Sequence, residues 1–257
     1  MKDLQFDVIY DLHDVIRTKA LRILLANKTK KIRIFKKERG IKSKIINKKI
    51  KIKKLDHTTE RYKKCLSLDF PKIEKQSVQK NIQTSKNKTK RIGIAPFAAH
   101  KSKIWPLEKY NDIIQKFEDY KFIIFAFGQN EIDLAKEKLL KFKNCSLVDQ
   151  NLSINDQSIL INDLKLFITM DSANMHLSSL TNTKVISIWG PTHPYLGFGP
   201  LFNEENIIQI DTKQLPCRPC SVYGKIKPKD ENCARESMER ISSSMVITKI
   251  KSCLKEE

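Results

Sequence analysis

The sequence predicts an α/β protein of the doubly wound, parallel-sheet type, and three observations support that prediction. From residue 91 onward, short apolar runs alternate with segments of helical spacing. The runs are almost continuously apolar, as strands covered on both faces are. A length of 257 residues also suffices for one large domain or two ordinary ones. In order, Arg91–Ala95 reads as a strand, Leu107–Phe117 as a helix, Phe122–Phe127 as a buried strand and Glu131–Leu140 as a helix. Cys145–Val148 is strand-like, Ile154–Ile161 helical, Leu166–Thr169 a strand, Ala173–Leu180 a helix and Val185–Trp189 a strand. In such sheets ligands bind beyond the carboxyl ends of the strands. The loops after Ala95, Phe127, Thr169 and Trp189 are therefore the places to search.

The first part of the chain gives fewer signals. Phe6–Leu12 reads as a strand, and Val15, Ile16, Ala20, Leu21, Leu24 and Leu25 fall near the spacing of one helix face. Ile32–Phe35 suggests a second strand, and a helix runs from His57 toward Leu68 with Thr58 or Thr59 as its N-cap. Pro71 then opens a polar stretch rich in Lys, Gln, Asn, Ser and Thr, which reads as a connection. The expected organisation is a first α/β unit at 1–75, a linker at 76–90 and a second α/β domain at 91–257.

The formal charge is +20, but only nine of the 49 basic residues are arginine. Arginine is the better reader of bases and phosphate forks. No zinc finger, RNP-type pattern or GXXG loop accompanies the charge, so a specific nucleic-acid partner is not expected. A lysine-rich composition accounts for the charge, and so does a basic face drawn to an anionic membrane surface. No run approaches the roughly 20 apolar residues of a membrane-spanning helix. The polar start, Met1-Lys2-Asp3-Leu4-Gln5, is unlike a signal peptide, so the expected location is the cytoplasm.

Three of the four loops carry residues suited to anion chemistry. After Ala95, the segment Pro96–Pro106 combines small residues with Lys101 and Lys103, close enough in sequence to meet one pyrophosphate, and Pro106 then starts a helix. Read alone, this is also what a solvated basic loop looks like. After Thr169 come Asp171 and Ser172, either of which suits the N-cap of the next helix, and His176 lies one turn inside. After Trp189, residues 189–200 hold three of the chain's seven glycines and three of its nine prolines. Such a loop is rigid and can approach a ligand closely, or simply makes a complex turn.

Together these segments resemble glycosyltransferase family 9, the heptosyltransferases of lipopolysaccharide core assembly. The resemblance lies in Lys-x-Trp-Pro at 103–106, Asp-Ser-x-x-x-His-Leu at 171–177 and Gly-Pro-Thr at 190–192. Ile92–Pro96 before them and Leu215-Pro216-Cys217-Arg218-Pro219-Cys220 after them add to it. It implies a GT-B-type fold of two facing doubly wound α/β domains, acceptor side first and donor side second. It implies that Lys103 contacts the donor phosphates, that Asp171, Ser172 and His176 lie at the nucleotide-sugar cleft, and that Gly190 and Thr192 shape the diphosphate pocket. The implied reaction inverts the anomeric centre and uses no divalent metal and no cofactor. An ADP-sugar is the donor and a lipid-linked lipopolysaccharide core oligosaccharide the acceptor.

Against that pattern the N-terminal domain reads as incomplete. The family's opening strand and Gly-Asp turn, the expected place of the catalytic base, have no counterpart before Lys103. Asp11, Asp14 and His57 are the local substitutes, and the catalytic residue stays unassigned. A catalytically impaired sugar-nucleotide-binding remnant, or one half of a split enzyme, is the alternative reading. Six cysteines in a chain expected to be cytoplasmic point to thiols or metal ligands rather than disulfides. Cys65, Cys145 and Cys253 are expected to pack. Cys217-x-x-Cys220 with Cys233 has the pairwise spacing of a zinc knuckle with one ligand too few, so a structural metal and a packed, reduced turn both stay open.

Overall fold

A computed structural model describes residues 5–75, 77 and 89–255. The first unit opens with β1 (Phe6–Asp11), α1 (Ile16–Leu25) and β2 (Thr29–Ile34), and β1 pairs with β2 in parallel as a two-stranded sheet. Two helices follow, α2 (Arg39–Ile46) and α3 (Thr58–Ser67), then a 3-10 turn at Pro71–Lys75. Buried apolar side chains are few here: Phe35, Ile45, Leu55 and Cys65. The Phe35 ring packs 4.6 Å from that of Tyr62, while α1 buries none of its residues. Helix α3 is capped differently from expectation. The ring nitrogen of His57 accepts from the Thr59 N–H at 3.2 Å, and the Thr58 hydroxyl is diverted across the molecule to Gly197 O.

The expected linker falls almost wholly outside the described residues. Its last two positions, Thr89 and Lys90, already belong to β3 (Thr89–Ala95), and Pro71–Lys75 before it forms the 3-10 turn. The second unit continues with a 3-10 turn at Leu107–Lys109 that runs into α4 (Tyr110–Lys116). Next come β4 (Lys121–Ile124), α5 (Gln129–Lys138), β5 (Cys145–Leu147), α6 (Ile154–Asn162), β6 (Leu164–Met170), α7 (Ala173–Ser179) and β7 (Lys184–Trp189). Beyond the expected elements lie β8 (Ile207–Gln209), α8 (Glu231–Glu239) and α9 (Ser243–Lys255). Strand β4 ends before Phe127, because the chain leaves the sheet after Phe125 donates its N–H to Ile94 O.

All six strands of this unit are parallel, in the order β5-β4-β3-β6-β7-β8. Alternation along each strand divides the core into two layers. Ile92, Ile94, Leu166, Ile168, Ile186 and Ile188 face a layer that includes Ile113 and Ile114 of α4 and Val246 and Ile250 of α9. Ala95, Phe167 and Val185 face the opposite layer, with Ile161 of α6 and Leu177 of α7 packed into it. Burying each such aliphatic side chain contributes about 1.5–3 kcal/mol. The sheet is thus doubly wound, as the sequence predicts.

The strand order reverses between β3 and β6. The chain moves outward from β3 to β4 and β5, then returns to lay β6 on the other side of β3. Register pairs Ala95 with Thr169 at the carboxyl end, and β7 follows with Met170 opposite Ile188. The loops after Ala95, Met170 and Trp189 therefore emerge side by side at the switch point.

The first unit seats itself on the 193–200 loop. The N–H of Leu55 donates to Tyr195 O at 2.8 Å, and both the N–H and the hydroxyl of Thr58 donate to Gly197 O at 3.0 and 2.9 Å. Gly197 has φ = +89°, and a Cβ there would lie 2.8 Å from Asp56 O and 2.9 Å from an Arg61 guanidinium nitrogen. Gly197→Ala is expected to cost about 1–3 kcal/mol through backbone strain and this clash. A thermal-melting comparison checks it, and an unchanged midpoint would contradict the seating described.

Candidate functional site

A cleft of about 840 Å³ opens at the switch point, and Lys103, Asp171, Ser172 and His176 all line it. The loop after β3 delivers Lys103. Trp105 anchors that loop: it is fully buried, its indole N–H donates to Ile241 O at 3.0 Å, and its ring meets Tyr110 edge-on. Ser102 donates its hydroxyl to Gly224 O at 2.6 Å, and the Lys103 stem runs beneath Gly224, so the lysine is held from two sides. Lys101 points elsewhere. It is exposed and lines a separate shallow pocket with Glu231 and Arg235, so the expected pair of lysines reduces to one at this cleft.

Asp171 joins the loops. Its Oδ2 accepts from Lys103 Nζ at 3.3 Å and from the Thr192 hydroxyl at 2.8 Å. Both charged groups are mostly buried, at 8% exposure each. Neither Asp171 nor Ser172 makes the expected side-chain cap. Ser172 holds the N-cap backbone position of α7 without a cap bond, its hydroxyl 3.4 Å from that of Thr169, while Asp171 is committed to the lysine and the threonine. Ser172, Ala173 and Asn174 face the cleft, so backbone donors of the first turn of α7 border it. His176 stays accessible on the cleft wall. The surrounding protein lowers its pKa chiefly by desolvation, against the raising influence of Asp171.

Gly190 and Thr192 stand behind this arrangement. Thr192 reaches the cleft through Asp171, and Gly190 faces Met238, whose side chain occupies the space a Cβ would need. Their turn is held by a residue the sequence reading did not single out. Arg218 is 2% exposed and donates to the carbonyls of Trp189 at 3.2 Å and Thr192 at 3.0 Å, to those of Gly190 and Ile210, and to Gln209 Oε1 at 3.1 Å. The cleft is also lined by Phe127, Glu131, Ile154 and Gln157, and by Phe198 and Tyr223, whose rings lie 5.4 Å apart. The signal for the first four was their position after β4 and at α6. For Arg218 it was only the Leu215–Cys220 run.

None of the three substitutes for a base lines this cleft. Burial would raise the pKa of Asp11, but the N–H groups of Asp14 and His13 and the nearby Arg22 hold it below the usual carboxylate value. Asp14 pairs with Arg22 and Arg39 at 3.4 and 3.5 Å. His57 has one ring nitrogen 3.1 Å from Gly199 O, and desolvation lowers its pKa.

The cysteine trio takes neither expected form. Cys217 and Cys233 form a disulfide, and Cys220 is a free, buried thiol whose pKa burial pushes up to about 11. Helix α8 lays Cys233 over the 217–220 turn with the two Cα atoms 6.0 Å apart, within ordinary bridging range. With two of the three sulfurs bonded to each other, the trio does not fit a metal. Cys65 and Cys253 are free and buried, and Cys145 is free and partly buried.

Residues 1–229 match the family described as glycosyltransferase family 9 (heptosyltransferase). The chain belongs to that family. It is 29% identical over 142 residues to lipooligosaccharide heptosyltransferase 2 of Campylobacter jejuni subsp. jejuni serotype O:2, a match covering 52% of this chain and 43% of that protein. The match thus spans less than half of the curated relative's length. Among solved structures, Escherichia coli heptosyltransferase WaaC with ADP superposes with a TM-score of 0.66 at 16% identity, covering 97% of this chain and 73% of that one. A family 9 glycosyltransferase from Veillonella parvula gives 0.68 at 16% identity, with 98% and 75% covered. The iron-containing dodecameric glycosyltransferase TibC of enterotoxigenic E. coli gives 0.56 at 13% identity, with 99% and 77% covered. These likenesses agree with the GT-B-type α/β fold.

The site leaves one pH signature. His193, beside Thr192 and 5% exposed, accepts the Tyr195 N–H at 3.1 Å, and burial, with Arg218 adding to it, pushes its pKa down to about 3. The folded state therefore binds fewer protons than the unfolded one between roughly pH 6.5 and 3. The resulting stability is fully present above about pH 6.5 and is lost as pH falls toward 3. Melting midpoints from pH 7 to 4 should fall more steeply for the natural chain than for His193→Asn. Parallel curves would show that the ring is not held neutral.

Proposed function

We propose that this member of family 9 is a glycosyltransferase that binds an ADP-sugar in the cleft between β3 and β6 and transfers heptose, or a related sugar, to a lipid-linked lipopolysaccharide core acceptor. The observation that carries the reading is the meeting of Lys103, Asp171 and Thr192 at the switch point of a parallel sheet. That is where a doubly wound fold presents backbone donors and a cation to a phosphate. Lys103 then meets the donor diphosphate, the first turn of α7 supplies N–H groups, and Ser172 and His176 border the sugar. Gly190 and Thr192 act from behind.

In the proposed reaction an acceptor hydroxyl attacks the anomeric carbon on the face opposite the nucleotide. The bond to the β-phosphate oxygen breaks, ADP leaves, and the hydroxyl proton passes to a base, so the anomeric centre inverts. The charge developing on the departing diphosphate meets Lys103 and the α7 donors in a partly water-excluded cleft, where such stabilisation is strongest. These groups do the work that a divalent metal does elsewhere. A second reading, a nucleotide-sugar-binding chain without turnover of its own or one half of a split enzyme, is favoured by Asp11 and Asp14, which are tied to arginines away from the cleft.

The proposed setting is the cytoplasmic face of the inner membrane. Among the described residues no helix is long and apolar enough to cross a membrane. Supporting peripheral contact are the charge of +20 and the apolar residues Ile16, Ile23 and Leu24 on α1, exposed at 85%, 78% and 72%.

Calorimetry with ADP tests the donor site. Lys103→Ala is expected to weaken ADP by roughly tenfold or more, the scale of a charge-assisted hydrogen bond, and Asp171→Ala by a similar factor because the lysine loses its anchor. Unchanged affinity in both variants would end the reading. Transfer from an ADP-heptose to a core acceptor by this chain alone would separate the enzyme from the binding-only alternative.

A further inference from the structure

We propose that Arg218 is the positioning residue of this anion site, fixing the 189–192 turn so that Thr192 holds Asp171 and Asp171 holds the Lys103 ammonium. The proposal rests on the donor-site reading above and adds a residue that never meets the ligand.

Four consecutive carbonyls of the turn are bound by one short segment. Arg218 donates to Trp189 O, Gly190 O and Thr192 O, while the N–H groups of Cys220 and Ser221 donate to Pro191 O at 3.0 and 3.1 Å. A planar trans peptide points its N–H opposite its carbonyl, so the N–H groups of Gly190 and His193 turn away from the guanidinium, and that of Thr192 turns away from the Cys220 and Ser221 N–H groups. The Thr192 side chain reaches Asp171 from the turn so held. The segment has an anchor of its own, since the Cys217–Cys233 disulfide ties it to α8. Arg218 thus stands at the root of a chain that runs through the turn, Thr192 and Asp171 to Lys103.

Two features indicate more than packing. The acceptors of Arg218 are all neutral oxygens, four backbone carbonyls and the Gln209 amide, although a buried guanidinium costs least beside a carboxylate. The charge sum at the site also needs it. Lys103 and Asp171 cancel each other and the Glu131 carboxylate also lines the cleft, so a site for a diphosphate needs positive charge beyond Lys103. Arg218 lies directly behind the turn and supplies positive charge without occupying the cleft, offset in part by the nearby Asp211 carboxylate. Its pKa, lowered by burial to about 10, leaves it protonated at neutral pH.

The test compares ADP with AMP, which lacks the second phosphate, by calorimetry on the whole chain. Arg218→Gln is expected to weaken ADP by roughly tenfold or more while changing AMP by less than about threefold, so the preference for ADP collapses. Arg218→Lys, which keeps the charge but has three donors instead of a five-donor fork, should restore part of that preference. Thr192→Val should reproduce the loss and should not add to it in the double variant. A purely structural role would move ADP and AMP alike, and an unchanged ADP-to-AMP ratio in Arg218→Gln would overturn the proposal. Should that variant fail to fold, the same ratio in Arg218→Lys and Thr192→Val decides. Wild-type chain that bound neither nucleotide would overturn the donor-site reading and this proposal with it. Wild type that prefers ADP beside an Arg218→Gln that prefers it equally would overturn this proposal alone.

Discussion

The candidate site depends on one carboxylate oxygen. Asp171 Oδ2 receives an ammonium from the loop after β3 and a hydroxyl from the turn after β7, while Asp171 itself directly follows β6. Three loops that share only a sheet edge are drawn into one surface by that atom. The arrangement is costly to build, because two charges leave water, and it tolerates little loss. Removing one partner strands the other in a poorly solvated place, at a cost of about 3–5 kcal/mol for a well-buried pair. Hydrogen bonding to Thr192 offsets part of the desolvation and fixes the direction in which the carboxylate points. A ligand phosphate that approaches Lys103 then competes for a cation already oriented toward the cleft, and little further ordering of that side chain is required.

How much of this was legible in the sequence follows from the range of each interaction. The strands β3, β6 and β7 announce themselves because burial on both faces demands unbroken apolar runs such as Leu166–Thr169 and Val185–Trp189. Topology then places the loops, so Lys103, Asp171, Ser172 and His176 could be gathered before any coordinates. Their mutual roles could not. Asp171 reads as an N-cap from local sequence, and only the neighbouring strand's Thr192 and the distant Lys103 divert it. Arg218 lies 26 residues from its acceptor Thr192 and resembles any other cation in a lysine-rich chain. Helix α9 carried a usable signal in Val246, Ile250 and Cys253, spaced along one buried face, whereas the three-residue β8 had no pattern long enough to register. The Cys217–Cys233 bond shows the limit of compartment arguments, since the fold of α8 over the 217–220 turn sets which sulfurs meet.

The 189–200 loop carries two duties that its glycines and prolines make compatible. Its first half lies behind Asp171, and its second half is the seat of the first unit through Tyr195 O, Gly197 O and Gly199 O. Phe198 connects them, since it lines the cleft and its ring receives Lys42 Nζ at 4.1 Å from its centroid. Leu55, Thr58 and Lys42 are therefore all in contact with the loop that forms this cleft wall. Pro191, Pro194 and Pro200 restrict the loop's backbone, so displacement at the seat is passed along rather than absorbed. Seat and cleft wall thus share one loop, joined by backbone carbonyls, the Phe198 ring and the Lys42 ammonium over it.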